Sequence, residues 1–428
     1  MNWRNKLHLF LLENKLASLM ISAGAILKIF LVSSSNSTSI FLEPDSFKYL
    51  NVAENYSSYL DLRKGQGNWD FFLISPGYPL FLKFFGDSNI KLILICQILL
   101  LAFTQIGIYL ISRNLLGKQI ALITLTLFVL ESSSNLSSIF LLSETLFSTL
   151  FTFVVIKILR KKSFQMSRHQ AVMLGVLLGI SILIRPIGQV LLFAFLVLLA
   201  NMKARKLILT ILLSSICVTS VWSFHNKISY NSLQLSGIQS FNLLYFEGIG
   251  AKSAALNRSL SVLQSEEIER EKIRYPGLNP INEVIDYRIE RAKELILDYK
   301  SGFIEMHLKN IPKMMLAPGS ASISRISKEF GLPQALEVAF KTLGILVAGF
   351  LLILASFGFI SILFRRNREN KFEILFLTAI IVITVAASTG ANAYSRFRVP
   401  IVPIEVLLSG YGLRALVSAR AQIHSRQL

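Results

Sequence analysis

Five charged residues stand beside or inside long apolar stretches, where charge is costly: Asp45, Glu144, Arg185, Arg396 and Arg398. Ionisable groups in such places are candidates for function. Their types suit one chemistry. Arginine offers planar, bidentate donors to phosphate oxygens and stays charged when partly desolvated. A carboxylate beside it can take the proton of an attacking hydroxyl. Together they would make a lipid-phosphate site with a base at its edge. The plainer alternative is that the arginines bind headgroups, or pair with Asp45 and Glu144 as structural ion pairs. Lys28, Lys157 and Glu405 also fall within apolar stretches. The two lysines read as snorkelling side chains; Glu405 has no assigned role.

These residues must be positioned by membrane-spanning helices. The chain has 428 residues, of which 53% are apolar and only 16% charged, and it carries a net charge of +19. A nucleic-acid binder of that charge would display it on a polar surface, so that class is excluded. About 20 apolar residues cross a bilayer, and ten stretches qualify: 14–33, 89–111, 118–134, 141–159, 170–185, 187–201, 206–223, 340–364, 372–389 and 398–415. The fifth and sixth meet at Arg185-Pro186, a hairpin or kink, because proline disfavours helix in the residue before it.

With the N-terminus inside, the inner segments carry 19 bases, including Arg4, Lys6, Lys161, Lys162, Lys203, Arg365, Arg366 and Arg368, against the acids Glu13, Glu369 and Glu373. This positive-inside bias puts both termini in the cytoplasm. It also puts Asp45, Glu144, Arg185, Arg396 and Arg398 together at the outer mouth. Cys96 and Cys217 both lie in apolar runs and suggest neither a disulfide nor a zinc site.

Two outer segments are long. The first, 34–89, is slightly acidic; the second, 224–340, is nearly charge-balanced. In the second, Asn279 reads as a cap and Pro280 as a first helical residue, followed by a stripe of Ile281, Val284, Ile285, Ile289, Leu295 and Ile296. Gly302 to Met315 reads as a second amphipathic helix. A helical cap is expected, with a small β domain as the alternative. The expected organisation is a membrane module 1–223 containing the first outer loop, a cap 224–340, and a membrane module 341–428.

Five segments resemble the GT-C class of membrane glycosyltransferases, in particular the protein O-mannosyltransferase and aminoarabinose-transferase group and the related RgtA/B/C/D-like bacterial enzymes. They are Asp45 with Tyr49 and Ala53; Ser75-Pro76-Gly77-Tyr78-Pro79; Ser143-Glu144 with Phe147; Leu178-Gly179 through Arg185-Pro186; and Tyr394-Ser395-Arg396-Phe397-Arg398-Val399-Pro400. Trp222 with Asn226 is a weaker sixth. The segments occur in family order over most of the chain. Ser75 stands where many relatives have arginine, and Phe224-His225 where an arginine before Asn226 is usual.

The resemblance implies an all-α polytopic protein, a bundle of about ten transmembrane helices with amphipathic helices in the two outer loops. It implies a transferase that moves a sugar from a polyprenyl-phosphate carrier to a hydroxyl or similar acceptor on a lipid, glycan or protein. Asp45 would be the base or acceptor-orienting group and Glu144 its partner. Arg185, Arg396 and Arg398, with Lys83, would hold the lipid phosphate. Tyr49 and Tyr78 are candidate sugar or acceptor contacts, from an aromatic set (Tyr56, Tyr59, Trp69, Phe71, Phe72) that otherwise suits an interfacial belt.

Glu43, Asp45 and Glu144 could offer oxygens to Mg²⁺ or Mn²⁺; His225 and His307 read as structural or surface groups. The expected location is the bacterial cytoplasmic membrane, with the site on the outer face. Two rivals remain: an O-antigen polymerase or ligase, and a lipid or polysaccharide flippase, for which inverted repeats would be needed and none is visible.

Overall fold

The computed structural model describes residues 14–61, 69–86, 89–160, 166–199, 205–364 and 371–427. Arg4, Lys6, Glu13, Lys161, Lys162, Lys203, Arg365, Arg366, Arg368 and Glu369, which entered the charge reading, lie outside them. Among the described residues there is no strand. The chain is an integral membrane protein built from helices, and all ten apolar stretches are helical.

The principal helices are α1 (Lys15–Ser34), α2 (Pro44–Glu54), α3 (Gly77–Phe84), α4 (Ile90–Leu116), α5 (Lys118–Leu130), α6 (Ser132–Ile139), α7 (Glu144–Arg160), α8 (Arg168–Ile184) and α9 (Arg205–Tyr230). They continue with α10 (Leu260–Arg274), α11 (Ile281–Asp298), α12 (Lys300–Leu316), α13 (Ser320–Glu329), α14 (Gln334–Phe364), α15 (Lys371–Ser388) and α16 (Val402–Gln427). By length and apolarity six could cross a membrane alone: α1, α4, α9, α14, α15 and α16. A seventh span results if α5 and α6, bent by 52° at their junction, count as one. The expected ten is therefore reduced to six or seven by this measure. The reason is helix length: α7 and α8 have 17 residues each, and the sixth stretch is broken into short turns.

Large apolar side chains on the bundle exterior, such as Leu19 and Phe30 of α1 and Leu346 of α14, are well exposed, as lipid-facing residues must be. Lys28, halfway along α1, does not snorkel outward. It is buried and donates to Asn135 Oδ1 at 2.6 Å.

Helix pairing in lipid depends on close approach rather than on hydrophobic drive. Gly175 and Gly179 sit one turn apart on α8. A Cβ on either would meet the backbone carbonyl of Ile211 at 2.4 Å or of Ser215 at 3.0 Å on α9. The pair thus sets how deeply α8 seats, and so where its end, Arg185, comes to lie.

The second long loop folds into a helical cap. Pro280 caps α11 one position later than the sequence suggested, and Asn279 instead donates to the Gly277 carbonyl. Ile281, Val284, Ile285 and Leu295 are buried as the stripe requires. A two-pronged pair pins the cap: Arg288 Nε and Nη2 donate to Glu271 at 2.5 and 2.9 Å, and the guanidinium lies 4.4 Å over Trp69 of the first loop. Phe72 and Tyr230 pack on Ile281 and Ile285. The two loops are thereby one packed layer on a single end of the bundle.

Candidate active site

The start of α2 is built to hold Asp45 against α7. Pro44 occupies the first helical position, where its missing N–H costs nothing. The Glu43 N–H donates to Ser46 Oγ at 2.9 Å, and Ser46 Oγ in turn donates to the Leu141 carbonyl at 2.7 Å. The Leu141 N–H donates to the Phe41 carbonyl. The segment entering α2 is thus bolted to the segment entering α7, two residues before Ser143-Glu144. Asp45 and Tyr49 lie one turn apart and share a helix face.

Four distant segments meet there. Arg396 Nη1 is 2.8 Å from Asp45 Oδ2, with 27% and 36% of the side chains exposed. Arg185 Nη1 is 2.7 Å from Glu144 Oε1, and Glu144 is almost fully enclosed. Ser143 Oγ bridges, accepting from Arg185 Nη1 at 3.1 Å and lying 3.2 Å from the Tyr49 hydroxyl. The two pairs share one electrostatic field. Burial works against the charge of Arg396, yet Glu144 and Asp45 together outweigh it and raise its pKa further. Tyr49 is pushed up to about 12, first by burial and then by Asp45 and Glu144.

Two buried atoms at the centre have no partner: Arg185 Nε and Glu144 Oε2. A buried unsatisfied group needs an explanation. Here one donor and one acceptor stand ready in a half-buried cluster whose two acids balance its two arginines. The arrangement can hold an anion on the arginines while an adjacent carboxylate accepts a proton.

The Pro-Gly-Tyr-Pro segment is structural support. A Cβ on Gly77 would lie 2.8 Å from the Ile184 nitrogen and 2.9 Å from the Leu183 carbonyl carbon, so α3 abuts the end of α8 beside Arg185. Arg185 itself is extended (φ −140°, ψ 116°) and ends α8 before Pro186. Tyr78 was expected to touch sugar or acceptor. It is instead fully enclosed and donates to Gln97 Oε1 at 2.6 Å, while Gln97 donates to the Phe140 carbonyl at 2.7 Å. The other loop aromatics pack inward too. Tyr59 donates to the Ile74 carbonyl and lies 5.2 Å from Trp222, so the set forms neither a stacking platform nor an interfacial belt. His225 stacks on Trp222 at 4.2 Å. Asn226 ties the loop through the Gln234 and Leu235 carbonyls.

Arg398 is a second correction. It is fully enclosed, donating through Nε to Glu405 Oε2 at 2.9 Å and through Nη1 to Glu131 Oε1 at 3.2 Å. It cannot face a lipid phosphate. Ser395–Arg398 is a 3₁₀ turn, and residues two apart in such a turn point about 120° apart. Arg396 therefore faces Asp45 while Arg398 enters the bundle. Glu131 carried a sequence signal that went unread, as an acid inside the third apolar stretch just before three serines. Its carboxylate caps α6, accepting from the Ser133 and Ser134 N–H groups at 2.9 and 2.8 Å.

Lys83 lies in the last turn of α3, six residues and roughly 9 Å of helix rise beyond Gly77. Glu43 is paired with Arg325 at 3.1 Å, and Arg325 also donates to the Leu42 carbonyl. Ser143 entered the sequence reading only as part of the Ser143-Glu144 segment, and Arg325 did not enter it. With Glu43 and Asp45 each engaged by an arginine, and no cluster of three potential ligands among the described residues, the oxygens do not fit a divalent metal site.

Residues 78–224 match the family model "Dolichyl-phosphate-mannose-protein mannosyltransferase". The match covers Glu144 and Arg185 but neither Asp45 nor Arg396. Among solved structures, the archaeal oligosaccharyltransferase AglB from Archaeoglobus fulgidus, in complex with an inhibitory peptide and a dolichol-phosphate, is similar over 100% of this chain at 12% identity, with a TM-score of 0.50. This chain covers 52% of that one, about half its length. ArnT from Cupriavidus metallidurans, in the apo state, is aligned over 95% of this chain and 79% of its own, at 14% identity and a TM-score of 0.35. No curated protein sequence matches. The GT-C resemblance read from the motifs thus has a family model and a shared helical fold behind it.

Proposed function

We propose that this chain, GT-C-like in motifs, family model and fold, is a glycosyltransferase that moves a sugar from a polyprenyl-phosphate-linked donor to an acceptor hydroxyl. The observation that carries the reading is the paired cluster, Asp45–Arg396 beside Glu144–Arg185, in which a buried donor of Arg185 and a buried acceptor of Glu144 have no partner. Arg396 and Arg185 hold the lipid phosphate. In the donor this phosphate is a diester with one negative charge. As the sugar–oxygen bond breaks, the leaving lipid phosphate takes the electron pair and gains a second charge. The arginines therefore bind the transition state more tightly than the ground state.

Asp45 accepts the acceptor's hydroxyl proton as the new bond forms at the anomeric carbon, on the face opposite the phosphate, with inversion. Without donor, Arg396 neutralises Asp45. A phosphate that draws Arg396 toward itself leaves Asp45 able to act as a base, so donor binding prepares the proton acceptor. Glu144 fixes Arg185, and Tyr49 with Ser143 completes the wall beside Asp45.

The positive-inside bias supports a site on the outer face of the bacterial cytoplasmic membrane with both termini inside. The cap over 224–340, between membrane modules 1–223 and 341–428, is the element that would select a lipid, glycan or protein acceptor. The test is transfer from decaprenyl phosphates bearing mannose, glucose or arabinose to endogenous acceptors in membranes. Loss of a general base costs about 10²–10⁴-fold, so Asp45→Asn is expected to lower transfer by that much. Full activity in Asp45→Asn removes Asp45 from the base role.

A further inference from the structure

Beside Arg185 lies a cavity of about 130 Å³. That is several times the space one water needs. Its polar lining includes Arg185, Asn242, Glu247 and Asn392, and its apolar lining includes Phe246 and Phe397. Arg185 lines the cavity, and the Arg396 guanidinium lies 5.2 Å from the centre of the Phe397 ring that lines it too.

Glu247 is held there by unusual means. It lies in a π-helical turn, Leu243–Gly248, a device frequent at functional sites. Its Oε2 is 2.9 Å from His307 Nε2, and His307 Nδ1 is 2.8 Å from Thr389 Oγ1. Thr389 Oγ1 also lies 2.8 Å from the Val385 carbonyl, so the His307 ring is held at both nitrogens. The other oxygen, Oε1, rests against Gly390, where a Cβ would come within 2.1 Å of it.

We infer that this cavity receives the sugar of the lipid-linked donor, with Glu247 bonding its hydroxyls and His307 positioning Glu247. A carboxylate, two amides and two phenyl rings match the hydroxyl edge and the C–H face of a sugar ring. The neighbouring arginines fix where its phosphate must sit. The inference rests on the glycosyltransferase reading and adds a subsite for the group transferred.

The test uses the purified full chain in detergent, titrated with decaprenyl phosphate and with decaprenyl phosphates carrying mannose, glucose or arabinose. Wild type is expected to bind at least one sugar-bearing lipid more tightly than the bare lipid phosphate. Glu247→Gln is expected to weaken that lipid about tenfold and to leave the bare lipid phosphate unchanged. His307→Ala should do the same, and so should Gly390→Ala, which pushes the carboxylate aside without removing it. Equal weakening of both lipids, or of neither, overturns the sugar pocket while leaving the transferase reading in place. So does a wild type that binds bare and sugar-bearing lipids alike. A wild type that binds no lipid phosphate overturns the transferase reading and this inference with it.

Discussion

Replacing Arg398 with methionine separates its two readings, buried structural cation and phosphate ligand. The side chain has no exposed surface, and its partners Glu131 and Glu405 are equally enclosed. Removing one member of a buried pair costs about 3–5 kcal/mol, because the abandoned charge stays desolvated. The loss is not shared evenly. Glu131 keeps two backbone N–H donors at 2.9 and 2.8 Å at the start of α6. Glu405 loses its cation, and its Oε1 already lacks a partner. Most of the penalty therefore falls on Glu405.

Arg398→Met is expected to lower the apparent melting temperature in detergent by several degrees, and Arg398→Met/Glu405→Met to regain most of it. The fraction of Arg398→Met that folds should transfer sugar within about threefold of wild type, since a side chain with no exposed surface adds nothing to phosphate binding. The reasoning fails if Arg398→Met is as stable as wild type yet loses transfer a hundredfold, or if the double variant is no more stable than the single one.

Gly77→Ala should destabilise by about 1–3 kcal/mol through overpacking. It should also slow transfer by up to about 10²-fold, because Arg185 is displaced with the backbone it follows; melting curves and initial rates on one preparation check both. Tyr49 titrates at about 12 in the folded chain because of burial, Asp45 and Glu144, above its ordinary value of 10. From pH 10 upward the unfolded chain has released a proton the native state still holds, so stability falls as pH rises to about 12. Tyr49→Phe should flatten that part of a melting-temperature profile, and an unchanged slope would deny the tyrosine its buried, acid-flanked setting.

Arg396 and Arg398 show where the sequence stops being informative. Both belong to one motif and both flank an apolar stretch, so composition treats them alike. Only the 3₁₀ turn sends them to different sides. Asp45, Glu144 and Arg185 were legible because a charge beside an apolar run is rare and its side of the membrane follows from the basic loops. Glu131 was legible in principle, as an acid within such a run, and Glu405 would have found its role from it. Tyr78 misled because an aromatic next to a glycine turn looks equally suited to touching ligand or packing inward. Gln97, 19 residues away, decided the matter. Glu247 left no trace and His307 read only as a structural or surface group, since 60 residues separate them and neither sits in an apolar run.

The buried triad also constrains how the last helix is held. Of the six helices able to cross a membrane alone, α16 is the least apolar and the most enclosed. It carries Glu405, and Arg398 sits just ahead of it. By itself this segment would bring the Arg398–Glu405 pair to the bilayer without the triad's third member. Glu131, in the bend between α5 and α6, supplies that member from a distant part of the chain. α16 is thus seated like a latch in a notch, and a variant lacking Glu131 should hold it less firmly.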